Sequence, residues 1–483
     1  MNGRTILWLV GVVLGVVALA QAPCLILALA LAEPWQPFGL AIVSGLVLMG
    51  ACLLPFRGRA HALDHRSAFL AVTLGWLAAC VLGAAPFAAH PELGLSAVDA
   101  FFEATSGFTT TGASVLSQLD TMHRSVLLWR SITQWLGGMG MVLLGVAVFP
   151  ILGLGGMQLF KAEAPGPTKD KLTPRVADTA KLLWTLYLGL TVAGAALLYA
   201  GGMTPFDAVC HIMTTISTGG FSTHDLSLGY YPSTFIRFFT TIFMLLGGTS
   251  FAILHRGMTQ GIRWSDYPEL RTYLGIYTVA LLLIAMDLRL GRPDEFTTFG
   301  VAVEHAGFQA ASLLTTTGFA TRDFDLWPPV SHAVLFALFF IGGMAGSTGG
   351  GPKVIRVVIL ARLALSQFFK LVHPHGFNAI KLGGRVIDPQ VVLGVVGFVA
   401  LWLAVLGAGT TLLCAFGSDL YTSLSAAAVT LGNIGPGFGG VGPSHTYAGF
   451  VPGAKLLMSA LMILGRLEIY TALVILTPGF WRR

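Results

Sequence analysis

A short hydroxyl-rich turn ending in glycine recurs four times along this chain. It reads Thr109-Thr110-Thr111-Gly112-Ala113, then Ile216-Ser217-Thr218-Gly219-Gly220, then Thr315-Thr316-Thr317-Gly318-Phe319, and last Gly432-Asn433-Ile434-Gly435-Pro436. With Gly112, Gly219, Gly318 and Gly435 as markers, the spacings are 107, 99 and 117 residues. A period of roughly a hundred residues predicts four structural repeats. The rest of the chain reads as scaffold around these four loops.

The scaffold is apolar. Of 483 residues, 55% are hydrophobic and only 10% charged, and the mean hydropathy is +0.77. A soluble domain is usually about 25% charged. A polytopic membrane protein is therefore expected, with no stretch polar and long enough for a separate soluble domain. Cys24, Cys52, Cys80, Cys210 and Cys414 sit in apolar segments without zinc spacing and read as small buried hydrophobes. The formal charge of +6 would suit a nucleic-acid partner. The placement of the basic residues argues for membrane topology instead, so no nucleic acid is expected. Residues 5–32 are too long for a cleaved signal core and read as a retained helix.

A membrane helix needs about 20 apolar residues. Two such helices come first, at 5–32 and 36–55. Each repeat then follows one plan: outer helix, shorter apolar segment, hydroxyl-glycine loop, inner helix. The outer helices are expected at 67–89, 178–200, 271–290 and 389–414. The shorter segments, at 96–108, 204–215, 298–314 and 418–431, suit re-entrant half-helices. The inner helices are expected at 129–158, 233–255, 330–371 and 453–476. The expected fold class is an all-α polytopic membrane protein with four pseudo-repeats around one axis, like a tetrameric channel in a single chain. Its expected units are the N-terminal helices 1–60 and pore repeats 61–165, 166–262, 263–385 and 386–483.

Under this plan, both termini and the loops after each inner helix share one side. That side holds 20 of the 28 basic residues. The positive-inside rule makes it cytoplasmic, so the four loops enter from outside. Asp99, Asp207, Glu304 and Asp419 lie in or near the half-helices, and Asp120 and Asp225 lie in outer loops. A negative mouth would concentrate cations. The alternative is that these acids are solvated or cap helices.

Glycine pairs recur within the inner helices, at Gly137-Gly138, Gly247-Gly248 and Gly342-Gly343, with Gly465-Arg466 in the fourth. Close helix packing accounts for the first two. The third opens a run, residues 342–351, in which six of ten residues are glycine. Each interior glycine costs a helix about 1 kcal/mol relative to alanine. The run begins twelve residues into the span, about 18 Å deep at 1.5 Å per residue. A non-helical segment lining the path and acting as a gate is expected; a structural helix break is the plainer alternative. Arg466 is placed about 20 Å down the last span. A charge there costs about 2.5–3.5 kcal/mol or more and must face a partner or water. The carbonyls of 342–351 are candidate partners, and Glu468 is the alternative.

A dehydrated alkali cation needs several oxygens at close range. Extended backbone supplies them when its carbonyls share one axis, and glycine permits that backbone. One Thr-Thr-Gly is weak evidence. Four, each after a half-helix, predict a ring of carbonyls with four helix C-termini aimed at a cation.

On these loops, and on Trp135-Leu136-Gly137-Gly138-Met139-Gly140, the segment 155–163, Ser217-Thr218-Gly219-Gly220-Phe221-Ser222 and Gly465-Arg466-Leu467-Glu468, the chain resembles the Trk/Ktr/HKT superfamily of potassium transporters, nearest its bacterial TrkH branch. The resemblance covers essentially the whole chain. It implies potassium uptake through a channel-like pore in the bacterial inner membrane, a homodimer embedded in membrane lipid, and a cytoplasmic nucleotide-binding regulatory ring of the TrkA type. The implied potassium-binding residues are Thr110, Thr111 and Gly112; Thr218, Gly219 and Gly220; Thr316, Thr317 and Gly318; and Asn433, Ile434 and Gly435. The implied gate residues are Gly346, Ser347, Thr348, Gly349 and Arg466. In the superfamily a serine in place of the first filter glycine goes with sodium permeation, so Gly112 favours potassium. Either Gly219 or Gly220 could be the repeat-two equivalent. Asn433-Ile434 replaces the hydroxyl residues of the other loops, so the ring is expected to be only approximately four-fold.

Two other classes compete. A proton- or sodium-coupled carrier would use broken helices and an ionisable residue in its pathway. His211 and His305 could titrate, but satisfied buried histidines are the plainer reading. A membrane enzyme would need a nucleophile with a base, or metal ligands, and no such motif is present. No phosphate-binding loop is present either, so nucleotide control would come from a partner on the basic loops 161–181, 256–271 and 353–385. Potassium is the expected substrate, with no organic cofactor.

Overall fold

A computed structural model describes residues 3–54, 65–147, 172–261, 266–373, 379–383 and 385–482. The 155–163 motif and the basic residues Lys161, Lys169 and Lys171 lie outside the described residues. Six helices among the described residues are long and apolar enough to cross a membrane: Gly3–Ala30, Gln36–Leu53, Arg66–Ala89, Thr179–Ala200, Pro268–Gly291 and Pro389–Ala415. They match the two N-terminal and four outer helices. A two-residue hairpin, Lys381–Leu382 with Arg385–Val386, joins repeats three and four.

The half-helices are Ala97–Phe108, Pro205–Ile216, Phe299–Leu314 and Leu420–Leu431. Three have twelve residues and reach only about 18 Å. Each begins at a side-chain cap, on Ser96, Thr204, Thr298 and Asp419 respectively. In the first two, the Ser96 and Thr204 hydroxyls also donate to the carboxylates of Asp99 and Asp207 at 2.7 Å. Each half-helix packs between its own outer and inner helices. Inner helix one also packs on half-helix two, and inner helix two on half-helix three. Inner helix four closes the circle on half-helix one. The N-terminal pair packs outside repeat one, Gly3–Ala20 against the repeat-one outer helix.

The inner helices differ from one another. The first runs unbroken over Arg124–Ala147. The second breaks at Gly248–Ser250, and its halves meet at 104°. This corrects the continuous helix expected over 233–255, where close packing was held to explain the glycines. The third stops at Leu338 and resumes at Val354, so 339–353 is non-helical. The fourth, expected as continuous over 453–476, ends at Arg466 and turns by 111°. Glu468 and Ile469 take left-handed φ of 56° and 49° at that bend.

Candidate functional site

All four half-helices end alike. The amides of Thr111, Gly219, Thr317 and Ile434 each donate to the carbonyl five residues back, at 2.8–2.9 Å. The residue before each is left-handed: Thr110 at φ 54°, Thr218 at 54°, Thr316 at 61° and Asn433 at 55°. This is the Schellman ending, which usually places glycine or asparagine there. Threonine is β-branched, and holding it left-handed costs about 1–3 kcal/mol. Three strained threonines in equivalent positions mean that the surroundings impose this backbone.

Two residues beyond comes the glycine. Gly112, Gly220, Gly318 and Gly435 have φ of 83°, 80°, 85° and 97°. Gly220, not Gly219, thus occupies the equivalent place in repeat two. A Cβ on Gly112 would lie 2.2 Å from the Gly219 carbonyl oxygen, and one on Gly220 2.0 Å from that of Thr317. On Gly318 it would lie 2.1 Å from the Ile434 oxygen, and on Gly435 2.5 Å from that of Thr111. Each glycine therefore abuts a carbonyl of the next repeat, and the fourth abuts the first. Asn433-Ile434 keeps the same backbone, so the loops are more alike than their side chains. All four glycines line a cavity of about 380 Å³, together with Arg130, His224, Asp225, His445 and Tyr447.

Side chains behind the loops fix them. Gln134 on inner helix one donates to the Gly219 carbonyl at 2.7 Å and accepts from the Phe221 amide at 3.0 Å. The Tyr447 hydroxyl donates to the Gly435 carbonyl at 2.7 Å. His211 is fully buried between the Asp207 carbonyl and the Ser222 hydroxyl, and His305 bonds the Thr321 hydroxyl at 2.8 Å. Both ring nitrogens of His211 and one of His305 are thus engaged in structure.

The segment 342–351 packs directly against the loops. Thr348 donates its hydroxyl to the carbonyls of Ile216 and Gly247 at 2.9 and 3.0 Å. The Gly350 amide donates to the hydroxyl of left-handed Thr316 at 2.7 Å. The same segment satisfies the break in inner helix two. Met344 donates to the Gly248 carbonyl at 2.8 Å, and Phe251 donates to the Gly346 carbonyl at 3.1 Å. Arg466 is 1% exposed and donates to the carbonyls of Thr348 and Gly137 at 2.7 and 3.0 Å. Its partners are carbonyls, whereas Glu468 pairs with Arg356. Lys353, also buried, donates to the Gly349 carbonyl at 2.5 Å.

The outer acids are mostly engaged in structure. Asp99 pairs with Lys455 and Glu304 with Arg237, both at 2.5 Å. Asp120 of the repeat-one loop bonds His224 of the repeat-two loop at 2.5 Å. Partial burial opposes charge on His224, but the nearby carboxylates of Asp207, 3.8 Å away, and Asp120 outweigh that and raise its pKa above the ordinary value. The His224 bond in turn holds Asp120 below the usual carboxylate range. The acids named as a cation-concentrating mouth are thus largely caps and partners, and of them Asp225 lines the cavity.

The sequence matches the model of the TrkH family, described as a cation transport protein, over residues 38–275 and 296–480. The chain belongs to the TrkH family. It is 40% identical to the Trk system potassium uptake protein TrkH of Vibrio parahaemolyticus, with all of both chains covered. It is 40% identical to that of Escherichia coli K12 over 92% of each. The E. coli K12 Trk system potassium uptake protein TrkG is 36% identical over 87% of this chain and 86% of its own. The crystal structure of the potassium transporter TrkH from V. parahaemolyticus superposes with a TM-score of 0.92 at 38% identity, with both chains fully covered. In this TrkH-family chain, sequence reasoning missed Gln134, Lys353, Tyr447 and the buried Arg130. Gln134 carried a signal: a polar group inside an inner helix must find partners.

Proposed function

We propose that this TrkH-family chain takes up potassium across the bacterial plasma membrane through the ring at Gly112, Gly220, Gly318 and Gly435. The closed circuit of glycine against carbonyl carries the reading. It gathers backbone oxygens from four repeats at the ends of four half-helices, whose C-terminal dipoles favour a cation. The potassium ligands are the backbone oxygens of Thr110–Gly112, Thr218–Gly220, Thr316–Gly318 and Asn433–Gly435. The segment 342–351, tied to the ring through Thr316 and Thr348 and held by Arg466, is the gate. Both termini face the cytoplasm, in keeping with the basic loops. The functional unit is a homodimer, and a TrkA-like nucleotide-binding ring docks on the basic cytoplasmic loops to move the gate. The chain itself is a transporter, needs no organic cofactor, and divides into repeats at 61–165, 166–262, 263–385 and 386–483. The test is rubidium uptake in a bacterial strain stripped of its own potassium systems. Expression should restore uptake, more strongly with the cytoplasmic subunit present. No uptake with or without that subunit overturns the proposal.

A further inference from the structure

Nine residues before each ring glycine, the half-helices carry Glu103, His211, Gln309 and Ala426. Each polar member grips the strand leaving its own loop. His211 bonds the Ser222 hydroxyl at 3.0 Å, and Gln309 donates to the Phe319 carbonyl at 3.4 Å. Glu103 accepts from the Ser114 hydroxyl at 2.9 Å and the Val115 amide at 2.9 Å. In repeat four the neighbouring Ser425 accepts from the Phe438 amide at 2.7 Å. Only Glu103 is a carboxylate, and it is fully buried.

Its counter-ion is Arg130, 2% exposed, on inner helix one. Arg130 Nε donates to Glu103 Oε1 at 2.9 Å, and Nη2 to the Ser114 hydroxyl at 3.1 Å. Nη1 crosses to repeat two and donates to the Ser222 carbonyl at 2.9 Å. The guanidinium also lies over the Phe221 ring, 4.1 Å from its centroid. Seven residues before the other inner-helix glycines stand Thr240, Leu335 and Met458, so none of the other repeats has an arginine at this level. The seam that Arg130 crosses joins the loop with two successive glycines. Gly219 stands where the other repeats have Thr111, Thr317 and Ile434. A Gly-Gly strand has the most backbone freedom to restrain. Arg130 and Gln134 hold its far side at Ser222, Phe221 and Gly219.

We propose that Glu103 and Arg130 are positioning residues for ion selectivity, a buried strut that keeps the Gly219-Gly220 strand in register with the Gly112 strand. The proposal rests on the reading of the four loops as a potassium filter. Discrimination depends on the number and placement of the oxygens around the ion, and an unrestrained double-glycine strand would let one quarter of them drift.

The test is the ratio of rubidium to sodium flux in liposomes holding the full-length protein. A ratio does not depend on how much protein folds. Glu103→Gln/Arg130→Gln removes the strut without leaving an unpaired charge. Arg130→Lys keeps the charge, but lysine cannot fork to Glu103, Ser114 and Ser222 together, and it decides the matter if the double variant carries no flux. The ratio should fall about tenfold in either, equivalent to about 1.4 kcal/mol of discrimination. A selective wild type with an unchanged ratio in the conducting variants overturns the strut. An unselective wild type overturns the filter reading beneath it.

Discussion

A single methyl group is enough to press on a neighbouring carbonyl at the ring. Gly220 has φ 80° and a neighbouring backbone oxygen 2.0 Å from any Cβ, and backbone cannot step aside. Gly219 would meet the Gln134 side chain at 2.4 Å, which can rotate. The preference for rubidium over sodium should therefore fall far more in Gly220→Ala than in Gly219→Ala; the reverse order would place the ring glycine at 219. The sequence could not separate the two, because which glycine is left-handed depends on where the half-helix ends. It also hid the three left-handed threonines, since this ending ordinarily calls for glycine or asparagine. At the outer mouth, Asp207 and Asp120 favour the charged form of His224, and His224 favours the ionised form of Asp120. The raised His224 pKa makes this bridge fully favourable below the ordinary histidine value of about 6.5, and the benefit is lost as pH rises through the raised value. The Asp120 share is lost only as pH falls through its lowered value. Thermal stability should thus decline as pH rises above the ordinary histidine value, and Asp120→Asn should lessen that decline. A wild-type profile as flat as that of Asp120→Asn would count against the bridge.

Among the elements, the inner helices carry the proposed gate. Six glycines in ten residues announced the break in repeat three. The break in repeat two was not legible, because Gly247-Gly248 reads like the pair at Gly137-Gly138. Gly137 sits in an unbroken helix pressed on Phe108, whose carbonyl would be 2.0 Å from a Cβ. Gly247 and Gly248 instead give their carbonyls to Thr348 and Met344, some hundred residues downstream, and no local pattern encodes that partner. The shared bonds couple the repeat-two break to the segment 342–351. Arg466 adds two charge-assisted bonds of about 1.5–3 kcal/mol each to this arrangement. Arg466→Gln should raise rubidium flux about tenfold or more in liposomes, and unchanged flux would remove Arg466 from the gate. Deleting 346–350 should raise flux further. Loss of folded protein without any gain per folded molecule would make the segment a helix break alone.

The whole molecule is a ring written in one chain. Its period, its half-helices and its six long spans were legible because each rests on local hydropathy and length. The contact that closes it was not, since inner helix four meets half-helix one across most of the sequence. Nor was the neutralisation of the outer acids, whose partners Lys455, Arg237 and His224 belong to other helices or loops. The central claim is that four backbone segments hold one potassium ion in common. It is tested most directly by comparing rubidium and sodium flux through wild-type protein, Gly112→Ser and Gly220→Ser in liposomes. The account predicts a wild type that prefers rubidium and two variants that lose that preference alike, because both positions abut the next repeat's carbonyl. A wild type without preference, or serine variants that keep it, would contradict the account.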